Sequence, residues 1–115
     1  MLIKVLENRD VILYGDVFGT QNENNVTELI FEFPEAYDDF AKKIVFVTEN
    51  ENFEKDIIDG SYFLQNTETQ FGEFCAYLWA TNGNTSEDFR SKTFKIKLNK
   101  NENADQEIPP EIQII

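Results

Sequence analysis

The stretch Val26–Pro34, Val-Thr-Glu-Leu-Ile-Phe-Glu-Phe-Pro, has clear sidedness and clear limits at both ends. It follows the polar run Gln21–Asn25 and ends at a proline. Leu29, Phe31 and Phe33 lie on one face of an extended strand, and Glu28, Ile30 and Glu32 lie on the other. A period of two places one face of an extended strand toward a core and the other toward water. The stretch therefore predicts a half-buried β-strand.

Strand signals recur along the chain. Gly72–Ala80 and Thr93–Leu98 alternate in the same way, and Lys43–Thr48 is apolar on both sides, as in a central strand. Asp59-Gly60 between apolar runs predicts a two-residue hairpin that pairs Ile58 with Ser61 and Ile57 with Tyr62. Only Pro34–Ala41 has the composition of a short helical turn.

These signals predict an all-β fold, an antiparallel two-sheet immunoglobulin-like β-sandwich of about seven strands with at most one short helical turn. A small barrel is the rival architecture. One domain suits 115 residues, and we expect it to span 1–104, with 105–115 as a linker or contact tail. The residues predicted to line the interior are Leu29, Phe31, Phe33, Tyr62, Leu64, Phe74, Leu78, Phe94, Ile96 and Leu98.

The charge balance limits the classes of partner. The formal net charge is -12, from 22 acidic and 10 basic residues, and a field of this sign repels nucleic-acid phosphates and anionic membranes. We therefore expect neither nucleic acid nor a membrane as partner. The N-terminus has no apolar core of the kind found in signal peptides, and no apolar run approaches a membrane span. Synthesis in a cytoplasm is the expectation.

Few residues are suited to catalysis or metal binding. The chain has no histidine and one cysteine, Cys75, which excludes Ser-His-Asp and Cys-His nucleophiles and an internal disulfide. The acidic residues of two turns could in principle supply calcium ligands, but the calcium-loop pattern is missing. We expect no enzymatic activity, no catalytic residue, no metal and no cofactor. The acidic set is Asp38, Asp39, Glu49, Glu51, Glu54, Asp56 and Asp59.

An aromatic strip is one candidate interaction surface. If Phe74 and Leu78 face the core, then Cys75, Tyr77 and Trp79 face outward. Such a strip can stack on sugars or pack against a partner, and the other interpretation is that another part of the chain covers it. Cys75 is interpreted as a small hydrophobe rather than a nucleophile, since no basic residue adjoins it in sequence.

The C-terminal segment Ile108–Ile115 is the second candidate. Ile112, Ile114 and Ile115 are apolar, and they follow Pro109-Pro110, which extends the chain and removes backbone donors. The segment could pair with the domain's own edge, with another copy or a partner, or begin a following domain. Contact with a partner or a downstream part is favoured, because prolines disfavour a central strand.

A pattern from Ile3 to about Ala104 consists of Gly15-Asp16, Glu23–Pro34, Gly72 at the start of a strand, and Ser91–Leu98. It resembles the N-terminal β-sandwich domains of bacteriophage and prophage baseplate or tail proteins of low-GC Gram-positive bacteria. The resemblance implies no catalytic residues. It implies a virion structural module that docks on other tail or baseplate proteins, or on itself, and positions a host-recognition device.

The residues are also compatible with a second function. The domain could be a carbohydrate-binding β-sandwich module that contacts the host cell wall through the aromatic strip. A strip that is buried or covered favours the virion module, and an exposed strip flanked by polar groups favours carbohydrate binding.

Overall fold

Nine strands form the framework of the computed structural model, which describes residues 1–15 and 19–100. They are short, apart from the ten-residue seventh strand. In chain order the strands are β1 (Leu2–Val5), β2 (Val11–Tyr14), β3 (Glu28–Glu32), β4 (Ala41–Val47), β5 (Asn52–Ile57), β6 (Ser61–Phe63), β7 (Glu73–Asn82), β8 (Glu87–Arg90) and β9 (Phe94–Lys97).

The strands form two sheets. The four-stranded sheet has the order β2-β1-β3-β6, and the five-stranded sheet has the order β5-β4-β7-β8, with β9 also paired to β7. The strand pairs are antiparallel except β1 and β3, which are parallel. The predicted all-β, two-sheet fold is confirmed. The described residues form nine strands, where about seven were predicted. The four-stranded sheet is mixed because β2 pairs antiparallel with one edge of β1 and β3 pairs parallel with its other edge.

The sheet orders are those of an immunoglobulin-like sandwich. The five-stranded sheet follows the order of strands C′, C, F and G in variable-type domains, and β1-β3-β6 follows the order A, B and E. The parallel β1–β3 pair is a departure from that pattern.

The strand β7 organises the five-stranded sheet because both of its edges are occupied along much of its length. It pairs with β4 on one side, from Cys75 to Thr81, and with β8 and then β9 on the other. Between β8 and β9, Ser91 replaces regular pairing: its Oγ accepts the Leu78 N–H at 2.8 Å, and its own N–H donates to the Leu78 carbonyl at 2.9 Å. The interruption therefore leaves no backbone group of Leu78 without a hydrogen bond.

One core lies between the two sheets. It joins Ile3 and Phe31 of the four-stranded sheet to Phe46 and Leu78 of the five-stranded sheet. The predicted interior residues are buried as expected, except Phe33 and Tyr62, which are half-buried and pack against the same core. The alternation of the sequence therefore indicated the correct core face of β3, β7 and β9.

The Asp59-Gly60 turn is confirmed, but the strands that leave it separate. Ile58 and Ser61 exchange two backbone hydrogen bonds of 3.0 Å, and the φ angles of 51° at Asp59 and 78° at Gly60 are those of a type I′ turn. The predicted pairing of Ile57 with Tyr62 is wrong. Ile57 pairs with β4 and Tyr62 pairs with β3, so the chain changes sheets at this corner.

Residues 1–15 and 19–100 contain two helical turns, one more than predicted. The expected turn after Pro34 is a 3-10 turn at Glu35–Tyr37. The second is α1 (Asn66–Thr69), in a polar segment for which no helical turn was predicted. It is held by Glu68, whose fully buried carboxylate accepts hydrogen bonds of 2.6 Å from the Gln65 N–H, the Tyr62 hydroxyl and the Thr67 hydroxyl. A buried carboxylate is tolerated here because it is fully hydrogen-bonded.

Candidate functional site

The aromatic strip lies on the outer face of the five-stranded sheet, as predicted. Cys75, Tyr77 and Trp79 alternate along β7 with buried residues and are themselves half-buried. The strip is thus neither fully exposed nor fully covered by another part of the described chain. Its position follows from the two-residue period of β7.

A guanidinium group covers part of this strip. The Arg90 side chain on β8 lies 4.5 Å from the centroid of the Trp79 ring and 5.9 Å from that of Tyr77. The Trp79 Nε1–H donates to Asp88 Oδ1 at 2.6 Å, and Asp88 also lies 3.6 Å from Arg90 Nε. Cation–ring attraction and this hydrogen bond fix the indole, so Trp79 does not offer a fully open ring face.

The other side of the strip is lined by β4 and β5. Val45, opposite Tyr77, is buried on this outer face, and Lys43 stands opposite Trp79. Lys43 Nζ lies 2.6 Å from Glu54 Oε1 and 4.0 Å from Asp56 Oδ1. The hydrogen bond to the Glu54 carboxylate raises the pKa of the Lys43 ammonium. The outer face is therefore an apolar strip between two rows of charged side chains.

The second predicted contact element cannot be placed. Ile112, Ile114 and Ile115, and the expected boundary between 104 and 105, lie outside the described residues. The hypotheses about this segment therefore stay predictions.

An exposed apolar surface that was not predicted from the sequence lies on the outer side of the four-stranded sheet. Across this sheet, Leu2 of β1 pairs with Tyr14 of β2 on one side and with Ile30 of β3 on the other. Ile30 pairs in turn with Ser61 of β6, and Ser61 pairs with Ile58 across the Asp59-Gly60 turn. We call this surface the apolar face. Its large exposed side chains are Ile12 (39% exposed), Tyr14 (50%), Ile30 (46%), Ile58 (63%) and Phe63 (40%).

Few charges interrupt the apolar face. Lys4 lies between Ile12 and Glu32 in register, with Lys4 Nζ 3.7 Å from Glu32 Oε1, and Glu28 stands opposite Phe63. Most of the acidic residues of the described chain lie elsewhere. A signal was available in β2, where all four residues of Val11–Tyr14 are apolar although the strand lies at an edge. An edge strand that is apolar on both faces indicates a surface that something else covers.

The acidic residues considered as calcium ligands are dispersed. Glu54 and Asp56 flank Lys43 on the outer face, Asp38 and Asp39 follow the 3-10 turn, and Glu49 and Glu51 belong to the hairpin at the opposite end of β4. Among residues 1–15 and 19–100, no group of three or more His, Cys, Asp or Glu side chains is placed to hold a metal ion.

Comparison with known proteins gives no family assignment: no protein-family model matches the chain, and no curated protein matches it either. Within the described part of the chain, none of the helices has the length and apolar character needed to cross a membrane.

Proposed function

We propose that this domain is a non-enzymatic structural module of a phage or prophage tail or baseplate, and that the apolar face docks it onto another tail protein. The observation that carries the docking role is the concentration of large exposed apolar side chains on one sheet face. Monomeric proteins rarely expose contiguous apolar patches of this kind unless a partner covers them. The outer side of a β-sheet is flat enough to pack against a second protein layer.

Electrostatics indicate the chemistry of the partner. The chain has a net charge of -12, and the apolar face itself carries Glu28 and Glu32 against a single lysine, Lys4. A complementary partner presents an apolar surface with basic or neutral groups around it. A second copy of this chain brings the same negative charge, so a different tail or baseplate protein is the favoured occupant.

The tail assignment is supported by the resemblance of Glu23–Pro34 and Ser91–Leu98 to baseplate and tail domains. Both segments contribute strands to the two sheets, β3 in the first and β9 in the second. In this proposal the protein is made in the bacterial cytoplasm, enters the virion, and positions a host-recognition device. It has no catalytic residue.

Incorporation into particles tests the proposal. Phage particles produced by the host strain, purified by density gradient and analysed by mass spectrometry, should contain the wild-type chain beside other tail proteins. The Ile30→Lys variant should be folded but depleted from particles, because a lysine on the apolar face disrupts apolar docking. Ala36→Lys makes the same apolar-to-lysine change at an exposed position of the 3-10 turn and should be incorporated normally. Particles that lack the wild-type chain, or that accept Ile30→Lys equally well, exclude the proposal.

Carbohydrate binding is the second candidate function. The aromatic strip supports it only weakly, since Arg90 covers part of Trp79 and Tyr77. A different place in the fold, the cleft around Phe71, supplies the observation that favours it.

A further inference from the structure

Phe71 stands between two adjoining clefts at one end of the sandwich, where the β4–β5 hairpin approaches the segment between α1 and β7. One cleft has a volume of about 430 Å³ and the other about 300 Å³. Both are lined by Phe71 together with Thr48 and Asn50 of the hairpin. Clefts of this size are typical of small-ligand sites.

The Phe71 backbone is held in position, and the residue is not part of the hydrophobic core between the sheets. Its side chain is 38% exposed, and it makes none of the aromatic or cation–ring contacts found among the described residues. Its N–H donates to the Glu68 carbonyl at 3.1 Å, and the carbonyl of the next residue, Gly72, accepts the Leu98 N–H at 2.9 Å. The backbone on both sides is therefore fixed while the ring faces the clefts.

The hairpin wall is held together by hydrogen bonds. Thr48 N–H and Thr48 Oγ1 both donate to the Glu51 carbonyl, at 3.1 and 2.6 Å. The side chains of Asn50 and Glu51 make no hydrogen bond to any described residue, although both line the larger cleft. The Lys55 ammonium also borders this cleft, where it lies 6.0 Å from the Phe53 ring centroid. Hydrogen-bond donors and acceptors are thus available on rigid supports.

We infer that this pair of clefts binds an uncharged or amino-bearing oligosaccharide. One sugar ring packs against Phe71, and the sugar rings next to it occupy the two clefts. The apolar face of a sugar ring packs on an aromatic ring, and its hydroxyls can donate to and accept from amide and carboxylate groups. An oligomer suits two adjoining clefts on either side of one ring.

Charge defines the class of saccharide. Four glutamates and Lys55 border the clefts, and two of the glutamates are paired with lysines outside the lining, Glu54 with Lys43 and Glu73 with Lys95. The other two glutamates carry the excess negative charge, so polyanionic sugars are repelled and amino sugars are favoured. A peptide added to the edge of β5 is the competing ligand, but that edge carries charged side chains, which disfavour strand addition. The four glutamates are Glu49, Glu51, Glu54 and Glu73.

This site is independent of the proposed docking role. The clefts lie beside the five-stranded sheet at the end of the sandwich, and the apolar face lies on the outside of the other sheet. Loss of sugar binding therefore leaves incorporation into particles unaffected, and each proposal can fail alone.

The test is an NMR titration of the full chain with hexamers of N-acetylglucosamine, glucosamine and galacturonic acid, and with a lysine-rich peptide. We expect amide shifts at Asn50 and from Gln70 to Gly72 with the first two probes and none with the galacturonic acid hexamer. Phe71→Ala should weaken sugar binding roughly five- to tenfold, the loss of one stacking contact. Phe71→Tyr should retain it.

Phe63→Ala is the matched control, since Phe63 is 40% exposed, close to the 38% of Phe71, but lies on the apolar face. It should bind sugar as the wild type does, and the amide spectrum of each variant shows whether it is folded. No shift with either neutral or amino sugar overturns the inference, as does equal affinity of folded Phe71→Ala. Shifts confined to Asn52–Ile57, seen only with the peptide, would identify a peptide groove instead.

Discussion

Ser91 completes the hydrogen bonding of Leu78 at the point where the edge strand beside β7 is interrupted. The Ser91 Oγ accepts the Leu78 N–H at 2.8 Å, and the Ser91 N–H donates to the Leu78 carbonyl at 2.9 Å. Leu78 is fully buried, so its amide has no access to water if this hydroxyl is removed. These two hydrogen bonds connect β8 and β9 into one nearly continuous edge beside β7.

Ser91→Ala should therefore lower the free energy of unfolding by about 1–3 kcal/mol, the cost of an unsatisfied buried donor. Urea denaturation of the full chain measures this difference. Ser91→Thr retains a hydroxyl and should lose less, and Thr93→Ala, at a nearby exposed position, should change little. A Ser91→Ala curve that coincides with wild type means that water or a rearranged strand satisfies the amide.

Phe31→Ala tests the predicted core. Phe31 is 7% exposed and packs between the sheets, and its truncation should cost about 3–5 kcal/mol, a large share of a typical stability of about 5–15 kcal/mol. Phe63→Ala removes the same atoms from the outer face, where Phe63 is 40% exposed, and should cost clearly less. Equal losses in a urea titration would contradict the assignment of these two faces.

The environment of the Tyr62 hydroxyl predicts that the folded protein loses stability at alkaline pH. Burial and then the hydrogen bond to the Glu68 carboxylate raise the pKa of this phenol above its ordinary value of 10.0. Because the unfolded state ionises first, the stabilisation is complete below about pH 10 and is lost progressively as the pH rises beyond it. The Tyr62→Phe variant cannot ionise there, so its stability should fall less steeply above pH 10. Parallel curves for the two proteins between pH 9 and 11 exclude this role.

Trp79 gives a direct optical test of the aromatic strip, because it is the single tryptophan of the chain. Arg90→Gln removes the guanidinium that lies 4.5 Å from the ring centroid. We expect stronger quenching of Trp79 fluorescence by acrylamide and a loss of about 0.5–1 kcal/mol in stability. Lys95→Gln, at the other end of this sheet edge, serves as the control. Unchanged quenching in Arg90→Gln would show that the guanidinium does not shield the indole in solution.

A truncation after Ala104 tests the hypothesis that Ile108–Ile115 is a contact element. The shortened chain should melt at the same temperature as the full chain, since Leu98 is buried and Asn99 already exchanges backbone hydrogen bonds with Gly19 and Gln21. Any self-association of the full chain should disappear. A clearly lower melting temperature with both chains monomeric makes the segment part of the domain's own core.

Local sequence was sufficient wherever one face of a strand is buried. The alternation in Glu28–Glu32, Glu73–Asn82 and Phe94–Lys97 assigned core and solvent faces correctly, because the two-residue period of a strand is a local property. The Asp59-Gly60 turn was predicted for a similar reason, since positive φ angles limit the residues that can occupy it.

The edge strands β5 and β8 were not recognised. Asn52–Ile57 and Glu87–Arg90 are largely polar, and their extended form comes from backbone hydrogen bonds to β4 and β7 rather than from side-chain burial. The change of sheet after Ile57 was missed because a hairpin signal specifies the turn and not the partners of the strands that leave it. The short turn α1 depends on the buried Glu68, whose partner Tyr62 lies outside the helix.

The candidate sites divide in the same way. The sequence by itself determined that Tyr77 and Trp79 share the outer side of β7, because side chains alternate along a single strand. Only the tertiary structure decided that Arg90 covers them, that Tyr14, Leu2 and Ile30 form one surface, and that Phe71 meets Asn50 at a pair of clefts. Those neighbours come from separate segments, and strand order and register, which depend on the packing of the whole chain, bring them together.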